Sequence, residues 1–169
     1  MRSAEVLVEA FGRLPDLVHR AVDGLSADQL AHRLDPEANT VAWLVWHLAR
    51  VQDAQVAEVA SIEPRWSAAG WRDRFGLPLG PDDTGYGHDA AQVGVVKAPA
   101  ELLVGYAEDV CRATCAWVAT LSDGDLDQVV DQRWDPPVTL GVRLVSVVAD
   151  DLEHVGQAAI LRGIIERGG

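Results

Sequence analysis

The chain has little positive charge and almost no lysine. Its 169 residues include 14 basic residues against 26 acidic ones, which gives a formal net charge of −12, and its single lysine is Lys97. Binding to phosphates requires clustered lysine and arginine side chains. This charge balance therefore argues against nucleic acid or an anionic membrane as the main partner.

Long apolar runs are missing as well. No segment approaches the roughly 18 apolar residues of a membrane-spanning helix, and no basic region followed by an apolar run occurs near the N-terminus. We therefore expect a cytoplasmic protein with no membrane partner. Apolar residues make up 49% of the chain, which is enough for the core of a single domain spanning residues 1–169.

Cysteine is scarce, and the familiar catalytic motifs are missing. Cys111 and Cys115 are four residues apart on one expected helix, a spacing at which disulfides are uncommon and which a reducing cytosol disfavours further. We expect both to be small buried core residues, and the alternative is a reactive or metal-associated thiol. The sequence contains no glycine-rich phosphate loop, no Gly-x-Ser-x-Gly elbow and no zinc-ribbon cysteine spacing.

The apolar residues that are present recur with helical periodicity, and no stretch alternates with the period of two that indicates a strand. Pro15 interrupts the first helical segment, where either the helix kinks or a new one begins. Short helical turns are expected near residues 26–30, 70–75 and 125–130. The four long helical segments cover residues 3–23, 40–60, 99–121 and 139–167. The predicted fold is an all-α four-helix bundle.

The connection between the second and third helices, residues 61–98, is unusually long. It contains aromatic residues among many Gly, Pro and Asp residues. A loop of this length in a compact domain is usually functional or a crossover. Antiparallel neighbours need only a short loop, whereas parallel helices need a connection that crosses the bundle. We therefore predict that the second and third helices run parallel.

The fourth helix carries a polar stripe among apolar residues. Asp150 and His154 are four residues apart and therefore stand one turn apart on the same face, with Arg143, Ser146 and Gln157 close to the same stripe. Such a stripe usually faces something inside the protein. A carboxylate and an imidazole at this spacing can chelate one metal ion, and a ligand from another helix would complete an open site.

His47, in the middle of the second helix, is the candidate third ligand, and Trp43 stands one turn before it. A lone histidine is more often a satisfied core or surface residue than a ligand, so the spacing alone does not decide between the two interpretations. We expect His19 and His32 on the surface. His88 lies in the long connection and could approach the ligands if that connection folds over the site.

Two stretches resemble the motifs of the DinB-like superfamily. Residues Asn39–Arg50 resemble its second-helix motif, and Asp150–Gly163 resemble its last helix; the segments Gly70–Gly76 and Trp134–Pro137 agree with the same pattern. The branch that matches best contains mycothiol-dependent transferases and the metal-binding domain of maleylpyruvate isomerase. The resemblance covers nearly the whole chain.

This resemblance implies an up-down-down-up four-helix bundle that binds a divalent metal and is frequently a homodimer. It matches His47 and His154 to metal ligands, whereas Asp150 takes a place that is histidine in many relatives and a carboxylate in others. Two imidazoles and a carboxylate suit zinc, which we expect, but also nickel, manganese or iron. The chain lacks the second domain of the isomerase, so isomerase activity is not carried over.

The function implied by the resemblance is a metal-dependent S-transferase that activates a low-molecular-weight thiol, mycothiol, for transfer to a small electrophile. Trp43, Arg143 and Gln157 are candidate substrate-binding residues, and no residue is assigned as catalytic. The alternative is a non-catalytic, stress-related metal-binding protein. A purely structural bundle would leave the ligand set unexplained.

Overall fold

The computed structural model describes residues 1–168, and it confirms an all-α bundle of four long helical segments. No helix in this part of the chain is long and apolar enough to cross a membrane. The elements are α1 (Ser3–Gly12), α2 (Leu14–Val22), α3 (Ala27–Leu30), α4 (Val41–Ala60), α5 (Arg65–Ala68), α6 (Trp71–Phe75), α7 (Ala90–Val95), α8 (Ala100–Val118), α9 (Asp123–Leu126), β1 (Val129–Asp131), β2 (Val138–Thr139) and α10 (Leu140–Glu166).

Local chemistry explains where the long helices begin. Thr40 and Thr139 precede α4 and α10, and each hydroxyl accepts a hydrogen bond from a backbone N–H of the first turn. The first segment divides into two helices, and Pro15 lies in the first turn of α2, where its missing N–H carries no penalty. A new helix therefore begins there.

Two apolar clusters show the direction of each long helix. The first cluster joins α2, the first halves of α4 and α8, and the second half of α10. The second cluster joins α1, the second halves of α4 and α8, and the first half of α10. Helices α4 and α8 therefore run parallel to each other and antiparallel to α1–α2 and α10. This arrangement confirms the up-down-down-up order and the parallel second and third helices.

The crossover connection is anchored to the bundle by a buried carboxylate. Asp53 accepts hydrogen bonds from the backbone N–H groups of Arg65 and Trp66, both at 2.7 Å, and from the Tyr106 hydroxyl at 2.8 Å. Asp53 also forms an ion pair with Arg50, with Arg50 Nη1 3.6 Å from Asp53 Oδ2. These bonds fix the start of α5, from which the connection folds back across α4.

The sequence patterns did not reveal the short helices α5 and α7 or a small hairpin. Strands β1 and β2 pair antiparallel, with Val129 opposite Thr139 and Asp131 opposite Val138. Strands of three and two residues are too short to show a period of two, so the expectation of a chain without strands was wrong at this point. The hairpin packs against α10 and brings Asp131 to Arg143.

Candidate metal centre

Facing side chains of α4 and α10 bring the three predicted ligands together. His47, Asp150 and His154 each offer one donor atom, and these atoms lie within 4.8 Å of one another. His154 Nε2 is 3.6 Å from Asp150 Oδ1, and the rings of His47 and His154 meet edge to face with centroids 4.8 Å apart. The antiparallel packing of α4 on α10 creates this cluster.

Hydrogen bonds at Nδ1 orient both imidazole rings. His47 Nδ1 lies 2.5 Å from the Thr84 carbonyl oxygen, and His154 Nδ1 lies 3.1 Å from Gln157 Oε1. A carbonyl or amide oxygen can only accept, so each Nδ1 carries the proton. In both rings Nε2 is then the nitrogen whose lone pair is available to a metal.

Asp150 supplies the observation that fits a cation. Its Oδ2 atom is buried and has no hydrogen-bond partner within residues 1–168, whereas buried polar atoms normally have one. An unpaired carboxylate oxygen next to two imidazole lone pairs is the donor set of a divalent metal site. The residues present therefore fit the metal that the resemblance implies.

The environment of His47 keeps this residue in the form that a ligand requires. The residue is 6% exposed, and burial lowers the pKa of His47 despite the opposing effect of the Thr84 carbonyl. A metal-binding imidazole must be unprotonated, and the lowered pKa favours that form at neutral pH. Trp43 stacks on one face of the ring, with centroids 4.5 Å apart and planes 11° apart.

Part of the crossover connection, residues 83–88, covers the centre from the α4 side. A Cβ atom at Gly85 would lie 2.7 Å from His47 Nδ1, which is closer than real Cβ contacts allow. The backbone φ at Gly85 is +90°, a region that favours glycine. Any side chain at this position would therefore disturb the bond between His47 and Thr84.

His88 anchors this covering segment. Its Nδ1 accepts a hydrogen bond from Trp43 Nε1 at 3.1 Å, and its Nε2 donates to Asp83 Oδ1 at 2.8 Å. The Asp83 carbonyl in turn accepts from Arg50 Nε at 3.1 Å. The connection folds over the site, but both ring nitrogens of His88 are already used by protein partners.

The centre opens into a groove between α4 and α10. A neighbouring cavity of about 550 Å³ shares Gln55 and Tyr86 with the cavity at the centre and extends to Trp134. The groove therefore has room for a small molecule beside the ligands. The cavity at the centre itself measures about 300 Å³ and is lined by His47, Val51, Gln55, Thr84, Tyr86 and Asp150.

The three candidate substrate-binding residues have different positions. Trp43 is 6% exposed and packs behind His47, and Gln157 is bonded to His154, so each contacts the centre through a histidine. Arg143 lines the groove itself.

Sequence reasoning considered that the long connection could fold over the site through His88, but it did not identify the residues of the covering segment that contact His47. Thr84 contributes through its backbone carbonyl, which every residue carries, so no sequence signal could reveal it. Gln55 did have a signal, because it follows His47 by eight residues and therefore lies near the same face of α4 two turns away.

The fold and the cluster together define a class of protein: a four-helix bundle with a histidine–aspartate–histidine candidate metal centre between its second and fourth helices. The chain belongs to the mycothiol-S-transferase family, whose family model matches residues 6–167. This match confirms the resemblance to the mycothiol-dependent branch of the DinB-like superfamily.

A solved structure has a similar fold. The crystal structure of a conserved protein from Enterococcus faecalis is 28% identical to this chain, with a TM-score of 0.89 over 96% of both chains. A search of the curated proteins gives no match.

Proposed function

We propose that this protein is a divalent-metal-dependent S-transferase that activates mycothiol and transfers it to a small electrophile. The observation that carries the proposal is the Asp150 carboxylate, which has one unpaired buried oxygen and lies beside His47 and His154 at one end of an open groove. Membership of a family described as mycothiol-S-transferases supports the choice of thiol.

His47, Asp150 and His154 would hold the ion, with zinc as our first choice and nickel, manganese or iron as alternatives. Three protein ligands are the number that catalytic zinc sites use. A free thiol has a pKa of about 8.5, and a divalent cation favours its nucleophilic thiolate form.

The chain's own residues would hold the metal ligands in place and shape the cavity. The Thr84 carbonyl and Gln157 hold the two imidazoles, while Val51 gives the cavity at the centre an apolar wall. The thiol sulfur forms the new bond to the electrophilic carbon, the leaving group departs with the bonding pair, and the thiol proton passes to solvent. No step requires a nucleophile from the protein.

Neither cysteine is needed in this scheme. Cys111 is buried in the second apolar cluster, and Cys115 packs against the same cluster. Both are free, in keeping with the reducing cytoplasm where we propose that the protein works.

Conjugation of a chlorobimane with mycothiol tests the proposal. We expect conjugation by the metal-loaded protein, loss after chelation and recovery when the metal is returned. A Cys111→Ala/Cys115→Ala variant is the control and should retain activity. Activity that survives metal removal, or that requires a cysteine, contradicts the mechanism. Metal binding without conjugation of any thiol would favour the non-catalytic alternative.

We also propose that the protein forms a homodimer through α10. This helix exposes an apolar stripe, in which Val145, Leu152 and Ile160 are between 43% and 66% exposed. Exposed apolar patches of this kind mark interfaces, and a two-fold axis would pair the stripe with itself. Light scattering should give the mass of a dimer at micromolar concentration, and the mass of a monomer would contradict the assignment.

A further inference from the structure

The groove contains a polar subsite centred on Gln55. Gln55 follows His47 by two helical turns, so the subsite lies about 12 Å along α4 from the metal centre. We infer that Gln55 determines thiol specificity by donating hydrogen bonds to the hydroxyl-rich part of the thiol cosubstrate. The inference rests on the proposed function. It adds where the unreactive part of the thiol cosubstrate binds.

Arg143 fixes the orientation of the Gln55 amide. Arg143 Nη1 donates to Gln55 Oε1 at 2.9 Å. A guanidinium group has donors only, so the amide oxygen must face Arg143 and the NH₂ group must face away from it. No hydrogen bond within residues 1–168 uses this NH₂ group, and Gln55 lines both cavities of the groove. The subsite therefore presents unused donors to a ligand.

The hairpin in turn holds Arg143. Arg143 Nη2 donates to Asp131 Oδ2 at 3.1 Å, and Asp131 accepts three further hydrogen bonds from the backbone and side chain of Arg133. These bonds from Arg133 lower the pKa of the Asp131 carboxyl, so it remains ionised at neutral pH. Arg143 is 15% exposed and acts as a positioning residue for Gln55.

The charges of this network indicate an uncharged ligand. Arg133 and Arg143 both pair with Asp131, and Arg143 also lies 3.7 Å from Glu58. The two positive charges are therefore balanced within the network, which leaves little attraction for an anionic group. Hydroxyl oxygens can accept hydrogen bonds from the free donors of Gln55 without needing a compensating positive charge.

Two exposed aromatic rings complete the subsite. Tyr86 is 92% exposed and Trp134 is 66% exposed, and both line the larger cavity with Gln55 and Ser146. Aromatic rings combined with hydrogen-bond groups can pack against the apolar face of a sugar ring while its hydroxyls are bonded at the edge. Mycothiol carries its cysteine on an amino sugar joined to a cyclitol, which has this character.

The test uses S-methyl mycothiol, which cannot form a thiolate, and measures its binding to the metal-free protein by calorimetry. We expect Gln55→Met to weaken binding by about 3- to 10-fold, the effect of one or two lost neutral hydrogen bonds. Gln52→Met is the matched control, because Gln52 lies on the same helix but donates to Thr114 at 2.9 Å in the interior. This control should leave binding unchanged.

Steady-state kinetics distinguish an effect on thiol binding from an effect on electrophile binding. In the metal-loaded protein, Gln55→Met should raise the KM for mycothiol by a similar factor and leave kcat unchanged. Conjugation of N-acetylcysteine, which lacks the sugar, should not change. Arg143→Met should reproduce the loss, and the double variant should lose little more, because both changes remove the same interaction.

Several outcomes would overturn the inference. The first is that S-methyl mycothiol does not bind to the wild-type protein. The second is that Gln55→Met binds it as well as the wild type does, and the third is that Gln55→Met raises only the KM for the electrophile. Metal-dependent conjugation with an unaffected Gln55→Met variant would reject the subsite and retain the proposed function. Binding of S-methyl mycothiol that Gln55→Met weakens, without conjugation by the loaded protein, would retain the subsite and reject the transferase.

Discussion

Asp150 and Asp151 are neighbours on α10, and they lie in opposite environments. The Asp150 side chain is 38% exposed and faces His47 and His154, with only Oδ2 buried and unpaired. Asp151 is fully buried, and neither of its carboxyl oxygens has a hydrogen-bond partner in residues 1–168. Successive residues of a helix point about 100° apart, so one residue faces the groove and the next faces the interior.

The two environments affect the charges of the Asp150 and Asp151 carboxyl groups differently. Burial, with a smaller contribution from the Asp150 charge, raises the pKa of Asp151 well above its usual range. Its carboxyl is therefore neutral in the interior, where no imidazole or cation compensates it. Asp150 instead lies beside two imidazoles, with which it forms the candidate cation site. The same residue type is thus a proposed metal ligand on one side of α10 and a buried acid on the other.

Removing a ligand should have the largest effect. We expect His154→Ala to lose the bound metal entirely while retaining most of the helical signal, because the apolar clusters that hold the bundle are untouched. Elemental analysis of the purified variant measures its metal content, and circular dichroism checks its folding. A metal content equal to that of the wild type would reject the ligand assignment.

Gly85→Ala should have the next largest effect, because it places a Cβ atom against His47 Nδ1 in addition to straining the backbone. We expect a loss of about 2–3 kcal/mol in the free energy of unfolding together with weaker metal binding. Gly87→Ala is the control: Gly87 also has a positive φ, of +74°, but nothing lies within 4 Å of its added Cβ. Equal losses in the two variants, measured by denaturant unfolding and metal titration, would show that the covering segment does not support His47.

Gln157→Met should have a moderate effect on metal affinity. The variant removes the acceptor at His154 Nδ1, and loss of such a partner typically weakens metal binding by about 10- to 100-fold. Competition with a chelator of known affinity measures the change. Unaltered affinity would mean that Gln157 does not orient the ring and would leave its substrate-binding role as the interpretation to test.

Asp151→Asn should have the smallest effect and the opposite sign. Replacing the buried acid with a neutral amide removes the cost of neutralising the carboxyl on folding, so we expect the free energy of unfolding at neutral pH to rise by about 1 kcal/mol or more. Metal content should stay at the wild-type level. A loss of metal in this variant, with stability unchanged, would break the contrast between the two aspartates.

The bundle was predictable in outline because its signals are local. Pro15, Thr40 and Thr139 mark helix starts through their own backbone chemistry, and the length of residues 61–98 indicated the parallel helix pair. The hairpin was missed because its strands are too short to carry a period.

The candidate ligands were predictable for a related reason. Asp150 and His154 share one helix, so their spacing alone places them on one face, and the family resemblance supplied His47. Asp151 shows the limit of this reasoning, since its sequence neighbourhood gives no reason to expect full burial without a partner.

The sequence by itself determined the long helices, their order and the candidate ligand pair on α10, because those features depend on spacing along one chain segment. Only the tertiary structure decided which nitrogen of His47 is available, which residue covers the centre and which amide faces the groove. Those features depend on a backbone carbonyl at Thr84, a missing Cβ at Gly85 and a guanidinium from Arg143. Each of these groups contacts a residue that is far away in the sequence, and only the packed chain brings the two together.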